Sequence, residues 1–136
     1  MAVGTVKSKG VVFADLDLKF TKNPITNRLT VLKDEEAVKR SIRNLILTNR
    51  YERPYKPLIG GNITDLLFEN FDSITSQDIK RNIIEVIENY EPRAEVLDVV
   101  VDVSSYNANA LNISIVFRVV NRANPTTVSF QVERIR

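Results

Sequence analysis

The last third of the chain alternates apolar and polar residues in three successive runs, and this alternation limits the fold more than any other feature. The apolar members are Leu97, Val99, Val101 and Val103, then Leu111, Ile113, Ile115, Phe117 and Val119, and finally Val128, Phe130 and Val132. A period of two places successive side chains on opposite faces of a β-strand. Because each run has one apolar face, we expect a meander of three antiparallel strands covered by helices.

Helical spacing dominates the part of the chain before these strands. A first helix is expected from Asp34, with acidic residues in its first turn and an apolar stripe of Ala37, Val38, Ile42, Leu45 and Ile46. A short second helix is expected after Asn62 as its cap. A third should start at Thr75, where Asp78 completes a capping box and Ile74 and Ile79 form a hydrophobic staple, and its stripe should run through Ile79, Ile83, Ile87 and Tyr90.

These patterns predict an α+β fold, with three helices packed on a small, mainly antiparallel three- to four-stranded sheet. Residues 1–33 are expected to form an N-terminal arm with one short strand, in which Leu16, Leu18 and Phe20 share a face, followed by a turn over residues 21–27. Residues 34–136 are expected to form a single domain.

Composition excludes several classes of site. The 136 residues include no Cys and no His, so thiolate nucleophiles, disulfides, structural zinc sites and imidazole acids or bases are all excluded. The net charge of +2 does not indicate strong nucleic-acid binding. No run resembles a membrane-spanning segment or a secretory signal, so we expect the protein to act in the compartment where it is made.

The segment Glu91-Pro92-Arg93 stands between the third helix and the first strand of the meander. The residue before a proline disfavours the α region, so the helix is expected to end at about Glu91. If the segment then runs extended, both charged side chains lie on one face, where a partner can reach them. The alternative interpretation is a helix terminus with a solvated ion pair.

Two further segments are candidates for contacts. Basic and aromatic residues alternate in a loop that contains two prolines, and they are Arg50, Tyr51, Arg53 and Tyr55. This pattern suits a protein partner, a purely structural loop or, less well, nucleic acid. The last strand, with Val128, Phe130 and Val132, is expected to leave an open sheet edge to which another chain can add a strand.

Carboxylates offer the remaining catalytic chemistry. A glycosidase would need two of them on either side of a sugar, and Glu69, Asp72 and Glu91 are candidate acids. Nothing in the sequence selects a pair. The chain has no Trp to stack on a sugar ring, and its four glycines do not form a phosphate-binding loop.

Five motifs, taken in order, resemble the small baseplate wedge protein family of contractile-tailed phages, which has relatives in type VI secretion baseplates. They are EAVKRSIRNL at 36–45, LTNR at 47–50, ERPY at 52–55, LFEN at 67–70 and YEPR at 90–93. The resemblance covers roughly residues 34–136. Family members often have Gly before the Glu-Arg-Pro of the loop, where this chain has Tyr51.

The resemblance implies a structural component of a phage tail baseplate wedge, present in the virion and assembled in the host cytoplasm into a six-fold baseplate. It implies no catalytic residues, cofactor or metal. Glu91, Pro92 and Arg93 would dock on the core bundle of the larger wedge subunits. Val128, Phe130 and Val132 would face extended arms of the tail sheath protein, so that the protein templates sheath assembly. Nucleic acid and membranes are not expected partners.

Two other functions stay open at this point. One is a lysozyme-like peptidoglycan hydrolase associated with the baseplate, and the other is a regulatory adaptor of the same fold.

Overall fold

The fold is α+β, as the alternation and the helical stripes predict. The computed structural model describes residues 13–67, 72–103 and 109–133. Within these ranges the elements are β1 (Ala14–Leu16), β2 (Val31–Lys33), α1 (Asp34–Leu47), α2 (Ile63–Leu66), α3 (Ser73–Tyr90), β3 (Ala94–Val103), β4 (Ala110–Val119) and β5 (Pro125–Glu133). Strands β1 and β2 form one antiparallel sheet, and β3, β4 and β5 form a second in that order.

The chain divides into two compact units, and the boundary falls between Ala37 and Val38, inside α1. The division between an arm ending at residue 33 and a domain starting at residue 34 stays a prediction, because compactness alone does not show that either part folds by itself.

The first unit contains β1 and β2, with Leu16 opposite Val31. The expected strand through Phe20 is too long, since β1 ends at Leu16 and Phe20 has a positive φ of 51°. Asp17 causes the early stop. Its carboxylate accepts hydrogen bonds from the backbone N–H of Lys19 and the hydroxyl of Thr21, and these bonds hold a turn that a straight strand could not form.

Strand β4 is the central strand of the second unit and supplies much of its core. All five apolar residues of the predicted run are buried there: Leu111, Ile113, Ile115, Phe117 and Val119. Burial of each such side chain contributes about 1.5–3 kcal/mol relative to exposure. The helix α3 packs against β3.

A β-bulge changes the predicted apolar face of β3. The register with β4 shifts between Val96 and Asp98, so Leu97 is the extra residue of the bulge and is 49% exposed. Val99 and Val101 are buried as predicted, whereas Val103 is 40% exposed at the end of the strand. The prediction that Leu97 belongs to the apolar face is therefore wrong, whereas Val103 keeps that face, opposite the buried Leu111.

The helices carry the predicted stripes with one exception. The stripe of α1 is buried along its whole length, and so are Ile79, Ile83 and Ile87 of α3, but Tyr90 is half-exposed at the last turn. No helix in the described part of the chain combines the length and the apolarity that crossing a bilayer requires.

The start of α3 differs from the prediction. The helix begins at Ser73, and its cap is Asp72, whose carboxylate accepts hydrogen bonds from the backbone N–H groups of Ile74 and Thr75. Ile74 therefore lies in the first turn and is exposed, so the staple with Ile79 does not form. Asp72 provides the same kind of cap as Thr75 would, three residues earlier.

Asn62 precedes α2 as predicted but does not cap it. Its backbone is left-handed, with φ of 48°, and no side-chain cap bond forms. Its amide nitrogen instead donates to the carboxylate of Asp65 at 2.7 Å.

Candidate functional site

Glu91, Pro92 and Arg93, which we call the helix-end turn, connect α3 to β3. The helix ends as Pro92 predicts, with the last N–H, that of Glu91, donating to the carbonyl of Ile87 at 2.8 Å. The N–H of Ala94 then donates to the carbonyl of Glu91 at 3.1 Å and closes a turn. The expectation of an extended segment is wrong, because this bond folds the chain back at once.

The carboxylate of Glu91 points into the protein. The residue is only 3% exposed. Its two oxygens accept hydrogen bonds from Nε of Arg93 at 2.7 Å and from Nη2 of Arg93 at 2.8 Å, and the Ser41 hydroxyl also donates to it. Both interpretations of an exposed or solvated pair are thus wrong, because the acid is enclosed and only part of the guanidinium reaches the surface.

Opposing effects set the pKa of Glu91. Burial raises the pKa of this carboxyl, since a charge is less stable away from water. The hydrogen bonds from Arg93 and Ser41, together with the positive charge of Arg93, outweigh burial and leave the pKa of Glu91 below its ordinary value. Glu91 is therefore ionised at neutral pH, and its charge fixes the orientation of Arg93.

Ser41 is the member of this group that the sequence does not reveal. It lies on α1, 50 residues before Glu91, and nothing in the local pattern connects the two. A serine on a predicted helix, one position before a buried Ile42, gives no signal of a partner so distant in the chain.

The second candidate region is the segment 49–58, which we call the tyrosine loop. Its predicted contact residues all lie on the surface: Arg50, Tyr51, Arg53 and Tyr55. The backbone is held by internal bonds, among them from the Tyr51 N–H to the Pro57 carbonyl at 2.7 Å. Tyr51 has φ of 67°, a left-handed conformation that is costly for an aromatic residue and that Gly would adopt without this cost.

The tyrosine loop adjoins the helix-end turn. The hydroxyl of Tyr90, the residue just before Glu91, donates to the carbonyl of Leu58 at 3.2 Å. The end of the loop is also fastened to α3, because the amide of Asn82 donates to the carbonyl of Gly61 at 2.6 Å. The structure therefore brings together two segments that lie far apart in the sequence.

The third candidate region is β5, which forms an edge of its sheet because it pairs with β4 alone in the described chain. The side chains of Val128 and Val132 are buried and that of Phe130 is half-buried. They face the core, so a strand added at this edge would bind the β5 backbone and not these side chains. Residues 134–136, the end of the expected edge, lie outside the described residues.

The carboxylates considered for glycoside hydrolysis have other roles. Glu69 lies outside the described residues. Hydrogen bonds from Thr75, mainly from its backbone, lower the pKa of Asp72, and Glu91 is ionised beside Arg93. A general acid needs a raised pKa, so neither fits that function. The described residues also contain no group of three or more Asp or Glu that could hold a metal ion.

A shallow groove of about 620 Å³ lies in the first unit. Two cations, Arg28 and Lys33, line it together with Asn23, Thr26, Leu29, Thr30 and Val31, and no carboxylate does. The groove therefore offers no acid for hydrolysis.

Comparison with known proteins gives consistent results. The family model described as baseplate wedge protein gp25 matches residues 32–124. The baseplate wedge protein gp25 of Enterobacteria phage T4 is 32% identical over 119 residues, which are 86% of each chain.

Solved structures have the same fold. A chain in the baseplate of the anti-feeding prophage, determined with six-fold symmetry, is 28% identical with a TM-score of 0.70, covering 81% of this chain and 87% of that one. A protein of Geobacter sulfurreducens, provisionally named a tail lysozyme, is 27% identical with a TM-score of 0.69, covering 75% and 92%. A chain of the type VI secretion baseplate complex, at 14% identity and a TM-score of 0.59 over 74% and 93%, shares the fold.

Proposed function

The chain belongs to the gp25 family of baseplate wedge proteins, and we propose that it docks on the wedge core bundle of a contractile phage tail and templates the sheath. As a baseplate protein it is a structural component of the virion tail. The match across both the tyrosine loop and the helix-end turn is the observation that carries this proposal. The proposal includes six-fold assembly in the host cytoplasm, and partners that are proteins, not nucleic acid or membrane.

Docking is proposed at the helix-end turn. Glu91 binds two guanidinium nitrogens of Arg93 and is itself held by Ser41, so the arginine has a defined direction before any partner arrives. An oriented guanidinium loses little side-chain entropy on binding and suits a planar, hydrogen-bonded contact. Glu91 is a positioning residue in this proposal, and Arg93 is the group that meets the wedge subunits.

Replacement of Arg93 by Lys tests this contact. Lysine keeps a positive charge beside the buried Glu91 but lacks the fork of donors, so the variant should fold while its co-assembly with purified wedge subunits weakens about tenfold or more. The matched control is Arg118→Lys, since Arg118 on β4 forms an exposed pair with Glu95 on β3 at 2.6 Å. Equal co-assembly of both variants with the wild type would refute docking through Arg93.

Sheath templating is proposed at the edge of β5. An arm of a sheath subunit that pairs with this edge would complete the sheet and determine the register of the next subunit. In an antiparallel strand, one of two neighbouring residues directs its N–H toward β4 and the other directs it outward. Proline has no backbone N–H. Of the variants Thr127→Pro and Val128→Pro, the one at the residue whose N–H points outward keeps the hydrogen bonds to β4 and should therefore stay folded.

That folded proline variant is expected to produce tails with missing or irregular sheath, because it removes a donor from the edge. Circular dichroism identifies the folded variant, and electron microscopy of assembled tails measures sheath length. Sheaths of normal length and frequency on tails that contain the variant would exclude strand addition at β5.

The proposed role is not enzymatic. The name of the similar Geobacter sulfurreducens protein favours the hydrolase alternative. The lowered pKa values of Asp72 and Glu91 oppose it, because a general acid needs a raised pKa. A clearing assay on peptidoglycan with the full chain separates the two functions. Clearing that is lost in a single Asp→Asn or Glu→Gln variant would establish the hydrolase.

A further inference from the structure

The tyrosine loop exposes aromatic, apolar and basic groups side by side. We propose that it is a second contact surface, which binds an acidic, extended segment of another baseplate protein. This inference rests on the proposed function for the origin of the partner, but it concerns a different surface from the helix-end turn and from β5.

The large aromatic and apolar side chains of the loop are mostly exposed to solvent. Tyr55 is 97% exposed, Tyr51 is 77% exposed and Leu58 is 64% exposed. Large side chains left in water on one short loop are a recurring feature of protein contact sites. The exposed side chains therefore support the proposal that the loop contacts another protein.

The charges of the loop define the chemistry of the partner. Arg50, Arg53 and Lys56 are exposed, and so is the single acid, Glu52, whose carboxylate accepts a hydrogen bond from the backbone N–H of Asn49 at 2.8 Å. Three cations against one acid, whose carboxylate is already engaged, give the loop a net positive charge. Carboxylates are the natural complement, because Arg binds them through two parallel hydrogen bonds.

The loop is ordered before binding. Backbone bonds run from Tyr51 to Pro57, from Lys56 to Arg53 and from Ile59 to Lys56. Tyr51 keeps a left-handed backbone although its ring gains no burial from it. Strain retained at an exposed aromatic residue points to a use for that side chain outside the fold.

A protein segment fits better than nucleic acid. Leu58 offers an aliphatic surface that bases do not need, and the chain as a whole has a net charge of only +2. The bond between Tyr90 and Leu58 also places the loop next to the helix-end turn, so a protein docked at Arg93 would have the loop within its reach.

A photo-crosslinking residue, p-benzoylphenylalanine, in place of Tyr55 tests the inference in the full chain within assembled tails. The expected result is a crosslink to one segment of a baseplate protein that is rich in Asp and Glu, identified by mass spectrometry. p-Benzoylphenylalanine in place of Asn112 serves as the control and should not label that segment. Asn112 is exposed on the face of β4 that points away from the core.

Charge reversal completes the test. Arg53→Glu should lower the crosslink yield at position 55 by about tenfold or more, whereas Arg53→Lys should keep most of it. A crosslink to nucleic acid, a crosslink to a segment without acidic residues, or none at all in tails that contain the chain would overturn this inference alone. Tails that assemble normally without the chain would overturn the proposed function together with it.

Discussion

Replacement of Gly60 by Ala is expected to destabilise the protein by about 3 kcal/mol or more, through a steric and a conformational effect together. A Cβ at this position would stand 2.4 Å from the carbonyl oxygen of Thr48 and 2.9 Å from the carbonyl carbon of Asn49, both backbone atoms that cannot rotate away. Gly60 also has φ of 142°, a conformation that residues with a side chain rarely adopt. The expected loss is a large part of a typical domain stability of about 5–15 kcal/mol.

Urea unfolding followed by circular dichroism measures this effect, and two variants serve as comparisons. Gly61→Ala would place its Cβ 2.8 Å from the Ile46 carbonyl oxygen without a positive φ, so its destabilisation should be smaller. Lys56→Ala, at an exposed position of the tyrosine loop, should change stability little. If Gly60→Ala unfolds at the same urea concentration as Lys56→Ala, the close approach at the end of α1 is not present.

The loss of stability expected for Gly60→Ala has a structural reason: Gly60 and Gly61 permit a turn and also bring two segments into close contact. The N–H of Gly61 donates to the carbonyl of Thr48 at 3.0 Å, which fastens the end of the tyrosine loop to the end of α1. A side chain at residue 60 would separate these two segments. Sequence alone predicts a turn at two glycines, but the contact with the helix end depends on packing between segments.

Elements with a strong local period were predictable. The stripe of α1 and the alternation of β4 follow from residues a few positions apart, and each lies where one apolar face meets the core. The same holds for the end of α3, because the restriction that Pro92 places on Glu91 is local.

The predictions from sequence were wrong where two residues can fill the same position, or where a local irregularity interrupts a regular pattern. Asp72 and Thr75 are both good caps, and the sequence does not show that Asp72 takes the position first. The bulge at Leu97 leaves the alternation of the sequence intact while it moves one residue to the other face. The turn at Asp17 similarly interrupts a run of regular alternation.

The helix-end turn shows most clearly what cannot be predicted from a single sequence. Its position follows from Pro92, whereas the burial of Glu91 depends on Ser41, and a contact across 50 residues leaves no trace in a single sequence. Because Glu91 is buried, the expected effect on stability of removing Arg93 changes from small to large. An exposed pair could lose Arg93 at little cost, but a buried carboxylate without its partner is an uncompensated charge.

Arg93→Ala should therefore destabilise the isolated protein by about 3 kcal/mol, at the lower end for a broken buried pair because Arg93 is itself partly exposed. Glu91→Gln/Arg93→Ala should be more stable than Arg93→Ala alone, since the neutral amide needs no cation. Arg118→Ala, which removes the exposed partner of Glu95, should cost only about 0–1 kcal/mol. Urea unfolding of these variants, together with Glu91→Gln to complete the double-mutant cycle, measures the coupling between Glu91 and Arg93, with Arg118→Ala as the control.

The pH dependence of the free energy of unfolding shows whether Arg93 stabilises the protein by its charge beside Glu91 or only by its packing. In the wild type the pKa of Glu91 is lowered, so its contribution is present above the pKa of the unfolded chain and is lost as pH falls through the lower folded value. Without Arg93, burial dominates and the pKa of Glu91 should rise above that of the unfolded chain. The difference in stability between Arg93→Ala and the wild type should then shrink as the solution is acidified, because a protonated Glu91 needs no partner. A difference that stays constant from neutral pH to acid would mean that Arg93 stabilises the turn by packing and not by its charge.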